Sequence, residues 1–390
     1  MNRSALSALL AENTWHLLPY HLPLRNKLTT KQESDFLRKG LLLFWQSEVG
    51  IVYGEVAPLP GLHSESLDEA KLLVQNHFPH FIKELEASND SWLELNYPKA
   101  LAPSVKFGFE MLAFHYQFLK EKISLADFLK PVPSFPVSLN GLLNCSLEGL
   151  ESEIERCKIV GYKTVKIKVG RRELEEDIQR VRLVRRQWTG VEIRLDANQA
   201  WTLTEAKEVL SSLADCNLAY CEEPLQNPQE LPQLRRSCEV NLALDETLWK
   251  DPDLAKAIQD NVHAYILKPG ILGGWQETLK WINSAKSTGI LPVLSSSFES
   301  GIGHLWIALL ASSHVSRAPA VGLDTAFWFE NDLLNPSFSS HIQNGRLILP
   351  HAPYGCHKLG FKTRLEPSQY VLQVSGQPCL NFTPKANPEK

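Results

Sequence analysis

Between Val137 and about residue 325 the chain repeats one pattern. A short apolar run ends in a charged or polar residue, a turn former follows, and a longer amphipathic stretch comes next. The runs are "VSLNGLL", "TVKIKVG", "VEIRLDAN", "LAYCEEP", "LALDET", "AYILKPG", "LPVLSSS" and "AVGLDT". They recur about every 25 residues, the size of one strand–helix unit. Eight such units predict an α/β fold closed into a parallel (β/α) barrel, since successive units lay their strands side by side. An open doubly wound sheet would want G-x-G-x-x-G after its first strand. The sequence "GILGG" (270–274) does not supply that spacing.

Within this pattern "YKTVKIKVG" (162–170) is the oddity. Val165, Ile167 and Val169 alternate with Lys166 and Lys168, the period of a strand. Strands of a parallel barrel are covered on both faces and read almost wholly apolar. Two lysines pointing inward need counter-charge, and the other strand ends offer it. Asp196 ends the third run, Glu222 the fourth and Asp245 the fifth, and Lys268 ends the sixth. The carboxylates follow one another at 26 (196 to 222) and 23 (222 to 245) residues, so adjacent strands bring all three to one rim. Chemistry in such barrels sits at the C-terminal ends of the strands.

Any one of these residues is ordinary as a turn former or joint. Six on five consecutive strand ends are not explained by loop composition. Three carboxylates without a partner repel one another and raise one another's pKa. A hard divalent cation resolves the conflict, and this donor set suits Mg²⁺, with Mn²⁺ as a substitute. His and Cys are absent from these ends, which argues against zinc. The arrangement suits proton removal α to a carboxylate of a small-molecule substrate, with negative charge developing beside the cation. A lysine base must be tuned below its free value of about 10.4. Lys166 and a dication beside Lys168 would do this, making Lys168 the base and Lys166 its tuner.

Net charge is −4 over 390 residues, which points to neither a nucleic-acid nor an anionic-membrane partner. No apolar run approaches the roughly 20 residues of a membrane span. Seven scattered cysteines without a C-x-x-C pair read as reduced thiols, hence a cytoplasmic location. The N-terminus reads as a mature start rather than a signal peptide. No heptad seam indicates an oligomer. Residues 1–130 mix strand-like "LLLFWQSEVGIVYGEVAPLPG" with helix-like "SLDEAKLLVQNHFPHFIKEL" and "SVKFGFEMLAFHYQFLK". A joint, "KPVPSFP" (130–136), leads into the barrel at 131–325, and 326–390 is expected to pack back on the N-terminal domain.

The ordered set "TVKIKVG", "RLDANQAW", "CEEPL", "LALDET" and "ILKPG" resembles the muconate-lactonising subgroup of the enolase superfamily, over essentially the whole chain. The resemblance implies a (β/α)7β barrel with an α+β capping domain. Within the subgroup, "SSSFESGIGH" (295–304) and "GLDTAFWFENDLL" (322–334) are similar to the o-succinylbenzoate synthase family. That similarity implies a hydro-lyase making o-succinylbenzoate from 2-succinyl-6-hydroxy-2,4-cyclohexadiene-1-carboxylate, for menaquinone or phylloquinone biosynthesis. It further implies that Lys168 moves the proton, Lys268 stands opposite, and Asp196, Glu222 and Asp245 bind Mg²⁺. Arg194 and Asn198 match family positions near the site. Ser296, through its hydroxyl, and Gly322, through backbone N–H groups, match positions near the substrate's carboxylates.

N-acylamino-acid racemases and muconate cycloisomerases carry the same lysines and carboxylates. A third alternative is a non-catalytic metal-binding relative, against which the intact lysines argue. A mandelate-racemase-type histidine is missing, since strand 7 reads Leu-Ser-Ser-Ser. Dipeptide epimerases use Asp-x-Asp on strand 8, where this chain has Gly322-Leu323-Asp324. Specificity loops are expected near 20–30 and 54–61.

Overall fold

The computed structural model describes residues 15–348 apart from 31–33, 89–90, 92–93, 123–135 and 316–318, together with four two-residue strands beyond 360. The joint at 130–136 lies outside the described residues except for Pro136.

The N-terminal region is a meander with two helices laid across it. Strands β1 (Trp15–Thr29), β2 (Ser34–Ser47) and β3 (Gly50–Val56) pair antiparallel. Leu380–Asn381 runs parallel to β1 at Tyr20 and His21, so the C-terminal tail adds a fourth strand to this sheet. Helix α1 (Leu67–Ala87) starts at Ser66, whose side chain accepts from the Glu69 amide while Glu69 reaches back to the Ser66 amide. This is the reciprocal capping that "SLDE" encodes. Helix α2 (Pro103–Lys120) is apolar on nearly every side and buried on nearly every side.

Gly108 of α2 lies against β3. A Cβ there would stand 2.6 Å from Val56 Cγ2 and 2.8 Å from the Glu55 carbonyl oxygen. In an exposed helix Gly→Ala gains about 1 kcal/mol, but here overpacking of about 1–3 kcal/mol outweighs it. Gly108→Ala should therefore lower the urea midpoint of unfolding; an unchanged or raised midpoint would contradict the packing.

The barrel follows in chain order. After the two-residue β4 (Val137–Ser138) come β5 (Asn140–Leu143), α3 (Leu150–Val160), β6 (Thr164–Lys168), α4 (Leu174–Gln187) and β7 (Glu192–Asp196). Then come α5 (Leu203–Ser212), β8 (Leu218–Glu222), α6 (Leu231–Arg235), β9 (Leu242–Leu244), α7 (Glu246–Lys250) and α8 (Pro252–Ala257). The last are β10 (Ala264–Leu267), α9 (Pro269–Leu272), α10 (Trp275–Thr288), β11 (Leu291–Leu294) and α11 (Gly301–His314). Strands β5 to β11 pair in sequence order, all parallel.

Closure is made by "AVGLDT", which pairs only at Val321 and Gly322 before the chain enters a helical turn at Asp324. Val321 bridges Leu139 and Gly322 bridges Ser295, both parallel. The run read as one strand, "VSLNGLL", is split. Val137–Ser138 leaves the barrel to pair with Arg346–Leu347, while Asn140–Leu143 enters it. Of "NGRLILPHAPYGCHKLGFKTRL", Arg346–Leu347 thus lies beside Val137–Ser138, and Lys362–Thr363 pairs with Leu334–Asn335.

The cap docks on the barrel through its sheet, on the segment after β11, and through α2, on the segment after β10. Arg38 Nε donates to the Phe298 carbonyl at 2.9 Å, and Glu55 accepts from the Ser300 and Gly303 amides at 2.8 and 2.9 Å. Phe114 packs edge-on to Trp306 with centroids 4.7 Å apart. Glu110, fully buried in α2, accepts from the Trp275 and Gln276 amides at the start of α10. Burial pushes its carboxyl up to about 8, against the opposing pull of Lys106 and these amides. A carboxyl raised on folding stabilises fully below its unfolded value and loses that contribution as pH rises through the folded value. Wild-type thermal stability should therefore fall between about pH 4.5 and about 8 on this account. Glu110→Gln should flatten that slope in melts recorded across the window; an unaltered slope would exclude Glu110 as its source.

The described cysteines are free thiols. No described helix is long and apolar enough to cross a membrane.

Candidate active site

The register of the sheet sets the site. Lys168 pairs with Asp196 and Asp196 with Glu222, so these three share one layer across β6, β7 and β8. Asp245 and Lys268 stand just past the ends of β9 and β10, as the first residues before α7 and α9. Val165, Ile167 and Val169 are fully buried on the outward face, and the lysine face turns into the barrel mouth. In an eight-position ring β6 and β10 lie four places apart, so Lys168 and Lys268 face each other across the opening.

Each carboxylate is held by a lysine. Lys166 Nζ lies 2.7 Å from Asp196 Oδ2 and 2.8 Å from Glu222 Oε2. Lys168 is paired with Asp196 and donates to Asn198 Oδ1 at 2.9 Å, and Lys268 is paired with Asp245. Burial lowers Lys168, opposed by Asp196, and the Lys166 charge lowers it further; the balance is a depressed pKa. The Lys166 charge thus contributes to the depression, after burial. Burial would lower Lys166 too, yet Asp196, Glu222 and Asp245 outweigh it and hold it well above the usual lysine range. Lys268 is likewise raised, its burial overcome by Asp245 and Glu246.

Among the described residues no three His, Cys, Asp or Glu side chains converge as a ready ligand cluster. The ammonium groups draw the carboxylates toward themselves instead. The donor set nevertheless fits a hard divalent cation. Asp245 Oδ1 and Glu246 Oε2 are buried without a hydrogen bond. Burial, then Asp196, pushes the Glu222 carboxyl well up. Buried anionic oxygens of this kind are costly unless a cation pairs with them.

Above these residues opens a cavity of about 580 Å³, within the range of small-molecule sites. Lys166, Lys168, Asn198, Lys268, Ser296 and Gly322 line it. Both expected specificity loops reach it, through Lys27, Leu28 and Thr30 and through Leu59 and Gly61. Asn198 sits at φ 47° with its amide bridging Lys168 and Glu246, at 2.9 Å each.

Two expected substrate contacts are placed differently. Arg194 pairs in register with Lys166 and Tyr220, one layer below Lys168. Its guanidinium donates to the Ala320 carbonyl at 2.7 Å and to Glu192 at 2.9 Å, and lies over the Tyr220 ring. It does not line the cavity, because alternate residues of a strand share a face but not a depth. The Gly322 amide donates to the Leu294 carbonyl at 2.9 Å to close the barrel and is not free for a substrate. What Gly322 supplies is space, since a Cβ would meet Ser295 Oγ at 2.5 Å.

Four further residues matter that sequence reasoning gave no role. Glu223, the second acid of "EEP", accepts from the Asp245 and Thr247 amides at 2.8 and 2.7 Å and so positions Asp245. The doubled acid was the available signal. Thr325 and His304 form a buried chain behind Ser296. Asp324 accepts from Arg156 at 2.8 Å, Tyr162 at 2.6 Å and the Leu142 amide at 2.7 Å. It is therefore already committed within the protein.

Residues 150–354, more than half of the chain, match the family described as Enolase C-terminal domain-like. The chain belongs to the enolase superfamily. Residues 12–115 match the family described as MenC, N-terminal domain. The o-succinylbenzoate synthase of Vibrio cholerae serotype O1 is 29% identical over 328 residues, 82% of this chain and 91% of that protein. Protein PHYLLO, chloroplastic, of Arabidopsis thaliana is 30% identical over 351 residues, covering 80% of this chain and 20% of its own length. In fold the chain is similar to the dipeptide epimerase of Cytophaga hutchinsonii complexed with Mg and D-Ala-L-Val. There the TM-score is 0.73 at 20% identity, over 90% of this chain and 96% of that one. The superfamily fold is thus a (β/α)7β barrel under an α+β cap, as the motifs implied.

Proposed function

We propose that the protein is a hydro-lyase that converts 2-succinyl-6-hydroxy-2,4-cyclohexadiene-1-carboxylate to o-succinylbenzoate and water, in the cytoplasm, for quinone biosynthesis. In this reading residues 1–130 cap a catalytic barrel of 131–325, and 326–390 return to the cap. The observation that carries it is the facing pair Lys168 and Lys268 across three buried carboxylates, in a chain whose relatives bear the name of this reaction. Asp196, Glu222 and Asp245 would hold Mg²⁺, which supplies fixed positive charge beside the substrate carboxylate where negative charge develops.

Lys168, with its depressed pKa, takes the α-proton. As an ammonium it then protonates the departing hydroxyl on the same face, so water leaves and the base is restored. Asn198, bonded to Lys168 Nζ, keeps the amine directed. Lys268 stays an ammonium and stabilises the charge from the opposite face. Leu28, Leu59 and Leu62 give the cavity an apolar wall for the carbocyclic ring.

Racemisation of N-succinyl amino acids is the second reading, since two facing lysines also serve a two-face proton transfer. The commitment of Asp324 to Arg156 and Tyr162 counts instead against a dipeptide epimerase, whose substrate carries a free ammonium. The test supplies each substrate with Mg²⁺ and follows the aromatic absorbance of o-succinylbenzoate against the loss of optical rotation. Dehydration should dominate. Racemisation alone would replace the reading.

A further inference from the structure

Behind the cavity wall lies a hydrogen-bonded chain of buried groups that the chemistry above does not use. His304 of α11 places Nδ1 2.8 Å from the Ser300 carbonyl and Nε2 2.7 Å from Thr325 Oγ1. Thr325 Oγ1 lies 2.5 Å from Ser296 Oγ, and both hydroxyls line the cavity.

The direction of this chain follows from what each group can donate. A carbonyl only accepts, so Nδ1 carries hydrogen. In a neutral ring Nε2 is then bare and takes the Thr325 proton. Thr325 has no second hydrogen, so Ser296 must donate to it. Ser296 thereby presents lone pairs alone to the cavity, the wrong polarity for a carboxylate. With a proton on Nε2 every bond reverses. The ring donates to Thr325, Thr325 to Ser296, and the Ser296 hydrogen is freed to point into the cavity.

We infer that His304 acts as a positioning residue for an anionic substrate, taking up one proton through this chain when a carboxylate binds at Ser296. The inference rests on the proposed reading of the cavity as a carboxylate site. The surroundings of the ring allow both states. Phe329 and Phe338 pack against it, centroids 6.4 and 5.2 Å away, while Asp332 and Glu55 are the charged groups near it. Glu55 is saturated by Tyr20, by the Ser300 hydroxyl and amide, and by the Gly303 amide. Asp332 accepts from the Gly301, Leu334 and Phe338 amides. Burial lowers the ring's pKa, with the Ser300 carbonyl, Asp332 and Glu55 opposing, which leaves it neutral in the free protein near pH 7.

The probe is o-succinylbenzoate, titrated calorimetrically into the Mg²⁺-loaded protein in two buffers of different ionisation enthalpy. Wild type and Thr325→Ser should take up about one proton more per ligand than Thr325→Val and His304→Gln, with tighter binding as pH falls. Thr325→Val, which keeps the side-chain volume, should weaken binding about tenfold or more, the loss of one bond to a charged group. Equal proton uptake in all four proteins would overturn the relay. Nitrogen NMR of the ring in free protein gives an independent reading. A neutral ring protonated on Nδ1 is required, and an Nε2–H tautomer overturns the inference. If wild type fails to bind o-succinylbenzoate, the proposed substrate falls while the ring measurement still decides the relay.

Discussion

Lys168→Ala should abolish turnover, with a loss of about 10⁴-fold, the upper range for a general acid–base group, because one amine serves as base and then as acid. The fold should survive. Among the described residues Lys168 Nζ is bonded to Asp196 and Asn198, and Asp196 keeps Lys166 at 2.7 Å. Circular dichroism melts close to wild type, beside lost dehydration, would meet the expectation. Substantial residual activity would remove Lys168 from its role. The pH profile carries the same assignment. The free amine is the active form, so kcat/KM should rise with pH to a midpoint below the ordinary lysine value near 10.5, because burial first and Lys166 next depress Lys168. Lys166→Met removes one of the depressing charges and should move that limb to higher pH.

Lys268→Ala should cost about 10²- to 10³-fold in kcat, the scale of one preorganised charge aimed at the developing anion. Lys268 does not carry the transferred proton in this account, but its charge is a lesser contributor to the depression of Lys168, so the acidic limb should move to higher pH by less than in Lys166→Met. The variant also leaves Asp245 without its ammonium. Added Mg²⁺ should therefore bind at least as tightly as in wild type, in a titration read by protection from thermal unfolding. Near-normal kcat would refute an electrostatic role for Lys268.

Much of this site was legible because charge inside a barrel is expensive and so stands out. Lys166, Lys168, Asp196, Glu222, Asp245 and Lys268 each interrupt an apolar run at its end, and unit spacing alone placed them on neighbouring strands. Depth was harder to read. Arg194 shares a face with Asp196, yet the pleat sets it one layer lower, beside Lys166 and Tyr220. Nothing in "RLD" distinguishes the two depths. The Gly322 amide could not be assigned because its partner, Leu294, lies on a strand that meets it only when the barrel closes. Likewise, Arg346–Leu347 beside Val137–Ser138 joins segments over 200 residues apart, for which neither carries a local signal. His304 sits in a motif quoted for its serines. Its role depends on Thr325, twenty-one residues away, and on which ring nitrogen faces which oxygen.

The most direct test of the account is dehydration of 2-succinyl-6-hydroxy-2,4-cyclohexadiene-1-carboxylate, followed by o-succinylbenzoate absorbance with Mg²⁺, with EDTA, and with Mg²⁺ restored. The account predicts turnover in the first, none in the second and recovery in the third. Turnover that ignores EDTA, or none with Mg²⁺ and clean substrate, would contradict it.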